Sequence, residues 1–139
     1  MPGLKYQYSL LPGFEKSGLL APLIPLTFKH GNKEFSTFAL IDSGAERGLI
    51  STVIADALGI DWRKISKEIG LTTSGHFIFH HIRNIDVKIE EYEFRIDINV
   101  VEGINAFKCI LGRRDIFQKC KITFEGYKKE FQLDFRNLN

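Results

Sequence analysis

Cysteine is scarce in this chain, with two in 139 residues. Cys109 and Cys120 are too few for a disulfide framework. Each lies in or beside an apolar, strand-like run, which reads as a buried free thiol in a reducing compartment. Methionine and tryptophan occur once each against twelve phenylalanines, which points to an aromatic-rich β core. Long hydrophobic runs are missing too. The most apolar early stretch, Leu19 to Leu26, is broken by Pro22 and Pro25, and nothing approaches the ~20 apolar residues that cross a bilayer. Met1 to Ser17 lacks the basic start and unbroken apolar core of a secretory signal. A cytoplasmic setting with no membrane partner is therefore expected. Neither sign of charge dominates: the net charge is +2, and the lysines and arginines are scattered as a solvated surface. No nucleic-acid partner is expected. There are no internal repeats, low-complexity segments or linkers, and the length suits one domain over residues 1–139 with a real core.

The most informative stretch is Phe38-Ala39-Leu40-Ile41 running straight into Asp42-Ser43-Gly44-Ala45. Four apolar residues read as a buried strand, and a strand does not easily continue through Asp-Ser-Gly, so the chain turns there. The effect is to fix one carboxylate at the mouth of a packed sheet. Glycine lets another backbone come close, and a carboxylate with hydroxyl and amide neighbours in a partly desolvated place can have its proton affinity tuned. That arrangement suits acid/base chemistry.

Leu40-Ile41-Asp42-Ser43-Gly44-Ala45 resembles the signature of aspartic proteases: two apolar residues, Asp-Thr/Ser-Gly, then the Ala of the retroviral-type branch. Cys109-Ile110-Leu111-Gly112-Arg113-Arg114-Asp115-Ile116-Phe117 resembles the apolar-apolar-Gly-Arg segment that crosses behind the active-site loop of retroviral-type proteases (retropepsins) and then opens a short helix. Leu58-Gly59-Ile60 is similar to a run in bacterial and archaeal relatives. The resemblance spans about Pro22 to Phe135. It implies an all-β fold, a retropepsin-like acid-protease β-barrel with one lobe per chain and two short helices. It also implies aspartic endopeptidase activity on a peptide or protein substrate, without a cofactor. Such chemistry needs two carboxylates sharing one proton. The chain has one Asp-Ser-Gly and is too short for a two-lobed form, so the second Asp42 has to come from a second copy across a two-fold axis.

The resemblance also implies roles. Asp42 is the catalytic acid/base. The Ser43 hydroxyl bonds across the two-fold to the partner's loop, Gly44 lets the peptide backbone approach, and Ala45 completes the loop. Glu46 stands where retroviral enzymes carry a second Asp, which implies structural support by a Glu46–Arg113 ion pair behind Gly112, with Arg114 as the alternative partner. Ser43 replaces the commoner Thr and lacks its methyl group.

In chain order, the alternating patch from Lys5 to Leu10 reads as an edge strand before the turn at Pro12-Gly13, or residues 1–18 as an N-terminal arm; the resemblance implies a dimer strand at one terminus, Met1–Lys16 or Gln132–Asn139. Leu23–Phe28 and Glu34–Ile41 form a hairpin around Gly31-Asn32. Ser51 or Thr52 caps a short helix whose stripe is Val53, Ile54, Ala57 and Leu58, with Gly59 just past its end and Ile60 folding back. Gly70-Leu71-Thr72-Thr73-Ser74-Gly75 brackets small polar residues between glycines, the composition of a mobile hairpin tip with little to bury. In a retropepsin the flap belongs here, within residues 67–82; the plain alternative is a surface hairpin. Strands follow at Ile82–Ile89, Phe94–Val101 and Lys108–Leu111, then a short helix over Arg113–Gln118, then a hairpin of Lys121–Phe124 with Glu130–Phe135.

His76, His80 and His81 cluster without supporting Cys or acid at metal-ligand spacing, so no metal is expected, and they read as solvent- or substrate-facing imidazoles. Ser43 lacks the nucleophile-elbow pattern, Cys109 has inert apolar neighbours, and Trp62 reads as a packing lid. Two other classes remain open at this point. One is a non-catalytic dimerisation or peptide-binding module on the same fold, and the other is an unrelated β-barrel ligand binder.

Overall fold

The structure, a computed structural model, describes residues 3–12, 14–73, 75–104 and 108–135. Among them the chain runs β1 (Leu4–Gln7), β2 (Ser9–Leu10), β3 (Leu20–Ala21), β4 (Leu23–His30), β5 (Lys33–Ile41), β6 (Leu49–Ser51), α1 (Thr52–Ala57), β7 (Lys67–Thr72), β8 (Gly75–Ile89), β9 (Tyr92–Val101), β10 (Cys109–Leu111), β11 (Cys120–Glu125) and β12 (Glu130–Phe135). Seven strands form one sheet in the order β4-β5-β10-β6-β9-β8-β7, and an extra β4–β8 pairing closes it on itself. A smaller sheet, β1-β12-β11, packs Phe131 and Leu133 into the same core. The expected closed all-β barrel is therefore present.

Local chemistry explains the main elements. β4 and β5 pair along their length around Gly31, whose φ of 60° suits glycine at no steric cost. In β4 the buried Leu26 and Phe28 alternate with Thr27 and Lys29, the period of a strand with one dry face. β8 is longer than its alternation suggested. His80 and Ile82 point inward on even positions, whereas Ile85, Val87 and Ile89 point inward on odd ones. A bulge between Ile82 and Ile85 changes the parity, with Asn84 at φ 61° and its N–H bonded to Asp97 Oδ1 at 3.1 Å.

α1 begins at Ser51, whose Oγ accepts from the Ile54 N–H at 3.3 Å. It ends at Gly59, φ 68°, where Gly59 N–H reaches Asp56 O and Ile60 N–H reaches Ala55 O, both at 3.0 Å. The face it buries is Ile54, Ala55 and Leu58, not the expected stripe: Val53 is 51% exposed and Ala57 is exposed too. The fully buried Ala55 holds the place on the packed face that the expected stripe gave to Val53. Ser51→Ala is expected to cost about 1 kcal/mol by loss of the cap, read as a lower urea midpoint with an unchanged slope.

Two further expectations are corrected. Arg113–Gln118 is a run of turns, so α1 is the one α-helix among the described residues. The Asp115 side chain takes the Gly112 N–H, and the backbone bonds that follow, from Asp115 and Ile116 to Gly112 O and from Lys119 and Cys120 to Ile116 O, make two isolated turns and no continuous ladder. The core is carried more by isoleucine than by phenylalanine. Phe28, Phe94, Phe131 and Phe135 are buried, whereas Phe14 and Phe38 are each 53% exposed. A narrow closed barrel takes β-branched side chains more readily than rings.

Candidate active site

β5 and β10 lie parallel, with Leu40 opposite Ile110 and Ile41 opposite Leu111. The Asp42 N–H extends this ladder by one bond, to Leu111 O at 3.0 Å, and then the chain turns. The turn is built by Asp42 itself: its Oδ1 accepts the Gly44 N–H at 2.8 Å and its carbonyl accepts the Ala45 N–H at 3.2 Å. The carboxylate is half-buried, while Ser43 and Gly44 are exposed. Beside it opens a cleft of about 620 Å³ lined mainly by apolar side chains, among them Leu11, Leu23, Phe38, Leu40 and Ile110.

The segment after β10 holds the loop from behind. Arg113 N–H donates to Ala45 O and Arg114 N–H to Glu46 O, both at 2.8 Å. Gly112 passes so close that a Cβ there would lie 2.5 Å from Ala45 O. Glu46 Oε1 meets Arg114 Nε at 3.6 Å, so the ion pair forms with the alternative partner. Arg113 instead donates from Nη1 to Ser43 O at 3.2 Å. The extra residue in Gly-Arg-Arg moves the second arginine onto Glu46. Both members are mostly exposed, so the pair aligns the loop more than it stabilises the fold.

No family model and no curated relative matches the chain. Solved structures do. A retropepsin-like aspartic protease from Rickettsia conorii superposes with a TM-score of 0.68 at 18% identity, covering 96% of this chain and 99% of that one. The retroviral protease-like domain of Ddi1 from Leishmania major gives 0.57 at 18% identity, covering 84% and 94%. The chain has the retropepsin-like fold.

Within that fold, the structure brings Asp42, Ser43, Gly44, Ala45, Glu46, Gly112, Arg113 and Arg114 into one hydrogen-bonded unit. The candidate flap residues lie apart from it. Gly70, Leu71 and Thr72 end β7, Thr73 follows, and Gly75 opens β8; Ser74 lies outside the described residues. None of the described ones lines the cleft around Asp42.

Two polar features escaped the sequence. The first is Asp115, which is buried at 1% exposure. Its Oδ2 accepts the N–H groups of both Gly48 and Gly112, tying the end of the Asp42 loop to the segment behind it, while its Oδ1 has no partner among the described residues. Burial raises its proton affinity above the ordinary carboxylate range, against the pull of the two backbone bonds and Arg47. The folded state thus keeps a proton that the unfolded chain has released. This group's contribution to stability is fully present below about pH 3.9 and is lost as pH climbs from there to the raised folded value. Asp115→Asn cannot titrate. Urea melts at pH 4 and pH 7 are expected to show wild type gaining on the variant at pH 4. The sequence signal, an acid directly before the fully buried Ile116, is weak.

The second is His80. It is 3% exposed and packs edge-on against Trp62 at 5.1 Å, so the reading of a solvent- or substrate-facing imidazole is corrected at this position. Its even parity with the buried Ile82 was the available signal. His81 meets Asn99 Oδ1 at 3.0 Å, and no cluster of three or more His, Cys, Asp or Glu disposed to hold a metal occurs among the described residues. Burial pushes the Cys109 thiol far up, which keeps it protonated and unsuited to attack, and pushes Cys120 up to about 12. Among the described residues no helix is long and apolar enough to cross a membrane.

Proposed function

We propose that the chain is a homodimeric aspartic endopeptidase, with Asp42 of each copy forming the catalytic pair. The observation that carries this reading is the half-buried Asp42 carboxylate, held by its own loop and by β10 at the edge of an apolar cleft. Two such carboxylates side by side cannot both ionise. The ionised one takes a proton from a water held between them, the water attacks the scissile carbonyl, and the protonated one stabilises the oxyanion and then gives its proton to the leaving amine. Ser43 locks the two loops together, and Gly44 admits the peptide backbone. Neither metal nor cofactor takes part.

The β7–β8 hairpin serves as the flap. Cross-strand pairs share a face, so Lys67/His80, Ile69/Ile78 and Leu71/His76 lie on one side. His80 is buried at the root of this face, while the rest of it, towards the tip, is exposed. Ile69 and Leu71 on it are 71% and 76% exposed. Two large exposed aliphatic side chains on one face, with the exposed Ile78 beside them, suit a strand pair that closes on an apolar peptide.

The test is incubation with a mixed peptide library between pH 4 and 7, with sedimentation on the same sample. Cleavage between apolar residues by a dimer is the expected result. A monomer that cleaves nothing at any pH overturns the proposal.

A further inference from the structure

We propose that His80 and Glu102 form a one-proton latch that holds the root of the β7–β8 hairpin closed under acidic conditions. This rests on the reading of that hairpin as a flap. His80 Nδ1 lies 2.9 Å from Ile65 O, and its Nε2 lies 2.8 Å from Glu102 Oε2. Ile65 precedes β7 by two residues, and Glu102 directly follows β9. The Glu102 N–H is itself bonded to Ile78 O at 3.0 Å, so the carboxylate is anchored to the strand that carries His80. The latch thus joins the entry to the hairpin to its return strand and to the end of β9.

The proton count follows from what each atom can do. A backbone carbonyl only accepts, so Nδ1 has to carry a hydrogen. In a neutral ring Nε2 is then bare. At 2.8 Å from a carboxylate oxygen it needs a proton between the two, either on Nε2 as imidazolium beside carboxylate or on Glu102 beside a neutral ring. Either way the site holds one proton more than neutral His with ionised Glu. When that proton leaves, only one of the two contacts can survive. The ring keeps its remaining hydrogen on Nε2, facing the charged oxygen, because bonds to charged acceptors are the stronger ones. The bare Nδ1 then faces Ile65 O, and the tie at the flap root is lost.

Among the described residues, the surroundings contain little else that could supply or hold that proton. Trp62 presents an indole edge, while Asp56 and Arg63 reach that indole through its N–H at 2.8 Å and its ring at 4.2 Å. Val100 is the apolar cross-strand neighbour on β9, and Lys67, the neighbour on β7, is exposed. The latch therefore opens as pH rises. This is the same direction in which a shared-proton carboxylate pair loses its proton, so closure and chemistry would fade together.

Glu102→Gln separates this from a merely structural role. Its amide N–H can donate to a bare Nε2 while Nδ1–H still donates to Ile65 O, so a neutral ring satisfies every contact with no extra proton. The readout is amide hydrogen exchange across 65–73 at pH 5 and pH 8, corrected for the intrinsic pH dependence of exchange, on the full chain without substrate. Wild type is expected to lose protection at pH 8 by about two- to tenfold, the worth of one hydrogen bond. Glu102→Gln is expected to stay protected at both, and His80→Leu to be unprotected at both. Wild-type protection that does not change with pH, or a Glu102→Gln profile that follows wild type, overturns the latch. Exchange needs no peptidase activity, so an inactive chain that still shows the pattern refutes the enzyme reading and not the latch. In an active enzyme the rise of KM with pH, but not the kcat profile, is expected to flatten in Glu102→Gln.

Discussion

Asp42→Asn is expected to reduce peptide cleavage by about 10²- to 10⁴-fold or more, the range supplied by general acid–base catalysis, and to leave the fold intact. The amide keeps the shape of the carboxylate and an oxygen to accept the Gly44 N–H, now made to Asp42 Oδ1 at 2.8 Å, so the loop keeps its turn. What the proposed mechanism loses is the shared proton. Two asparagines across the two-fold can neither take a proton from water nor return one to the leaving amine. The check is kcat/KM on a cleaved library peptide, with urea midpoints to show that stability is unchanged. Equal cleavage by both proteins would point to a contaminant or another nucleophile and would remove Asp42 from the mechanism.

Gly112→Ala is expected to have the second largest effect. A Cβ there would meet Ala45 O at 2.5 Å and Ala45 C at 3.1 Å, both backbone atoms that cannot swing aside. The same Ala45 carbonyl accepts the Arg113 N–H at 2.8 Å, so pushing it away also breaks the bond that holds the loop from behind. Overpacking of this kind costs about 1–3 kcal/mol. The larger consequence is catalytic. Asp42 lies three residues before Ala45, and a displacement of about 1 Å at a reacting group costs about 10²-fold. Gly126→Ala is the control, since a Cβ there has nothing within 4 Å. A loss in kcat/KM of about 10²-fold or more at Gly112 and none at Gly126 is expected; equal behaviour would show that the segment behind the loop does not position it.

Much of this architecture was legible in the residues. The apolar run into Asp-Ser-Gly marks the strand end at Ile41, and Gly31-Asn32 marks the hairpin before it, because both depend on local chemistry. The strand face of Ile85, Val87 and Ile89 follows from simple alternation. What stayed hidden depends on partners far away in sequence. The choice of Arg114 over Arg113 for Glu46 is set by how the turn after Gly112 points two adjacent guanidinium groups, which spacing cannot rank. Asp115 became visible only when the fold brought Gly48 beside it, 67 residues away. His80 shares its even parity with the buried Ile82, but so does the exposed His76, so alternation alone could not separate the two. The helix expected over Arg113–Gln118 failed for a related reason: an acid that normally favours a first turn was taken up as a buried clamp on two glycine amides.

The most direct test of a catalytic pair built from two copies is subunit mixing. Wild type and Asp42→Asn chains are combined in equal amounts, allowed to exchange, and assayed against wild type alone at the same total concentration. Random pairing leaves about a quarter of the dimers with both aspartates, so activity is expected to fall to about a quarter. A fall to only about a half, in simple proportion to the wild-type content, would mean that each chain works alone and would contradict the shared site.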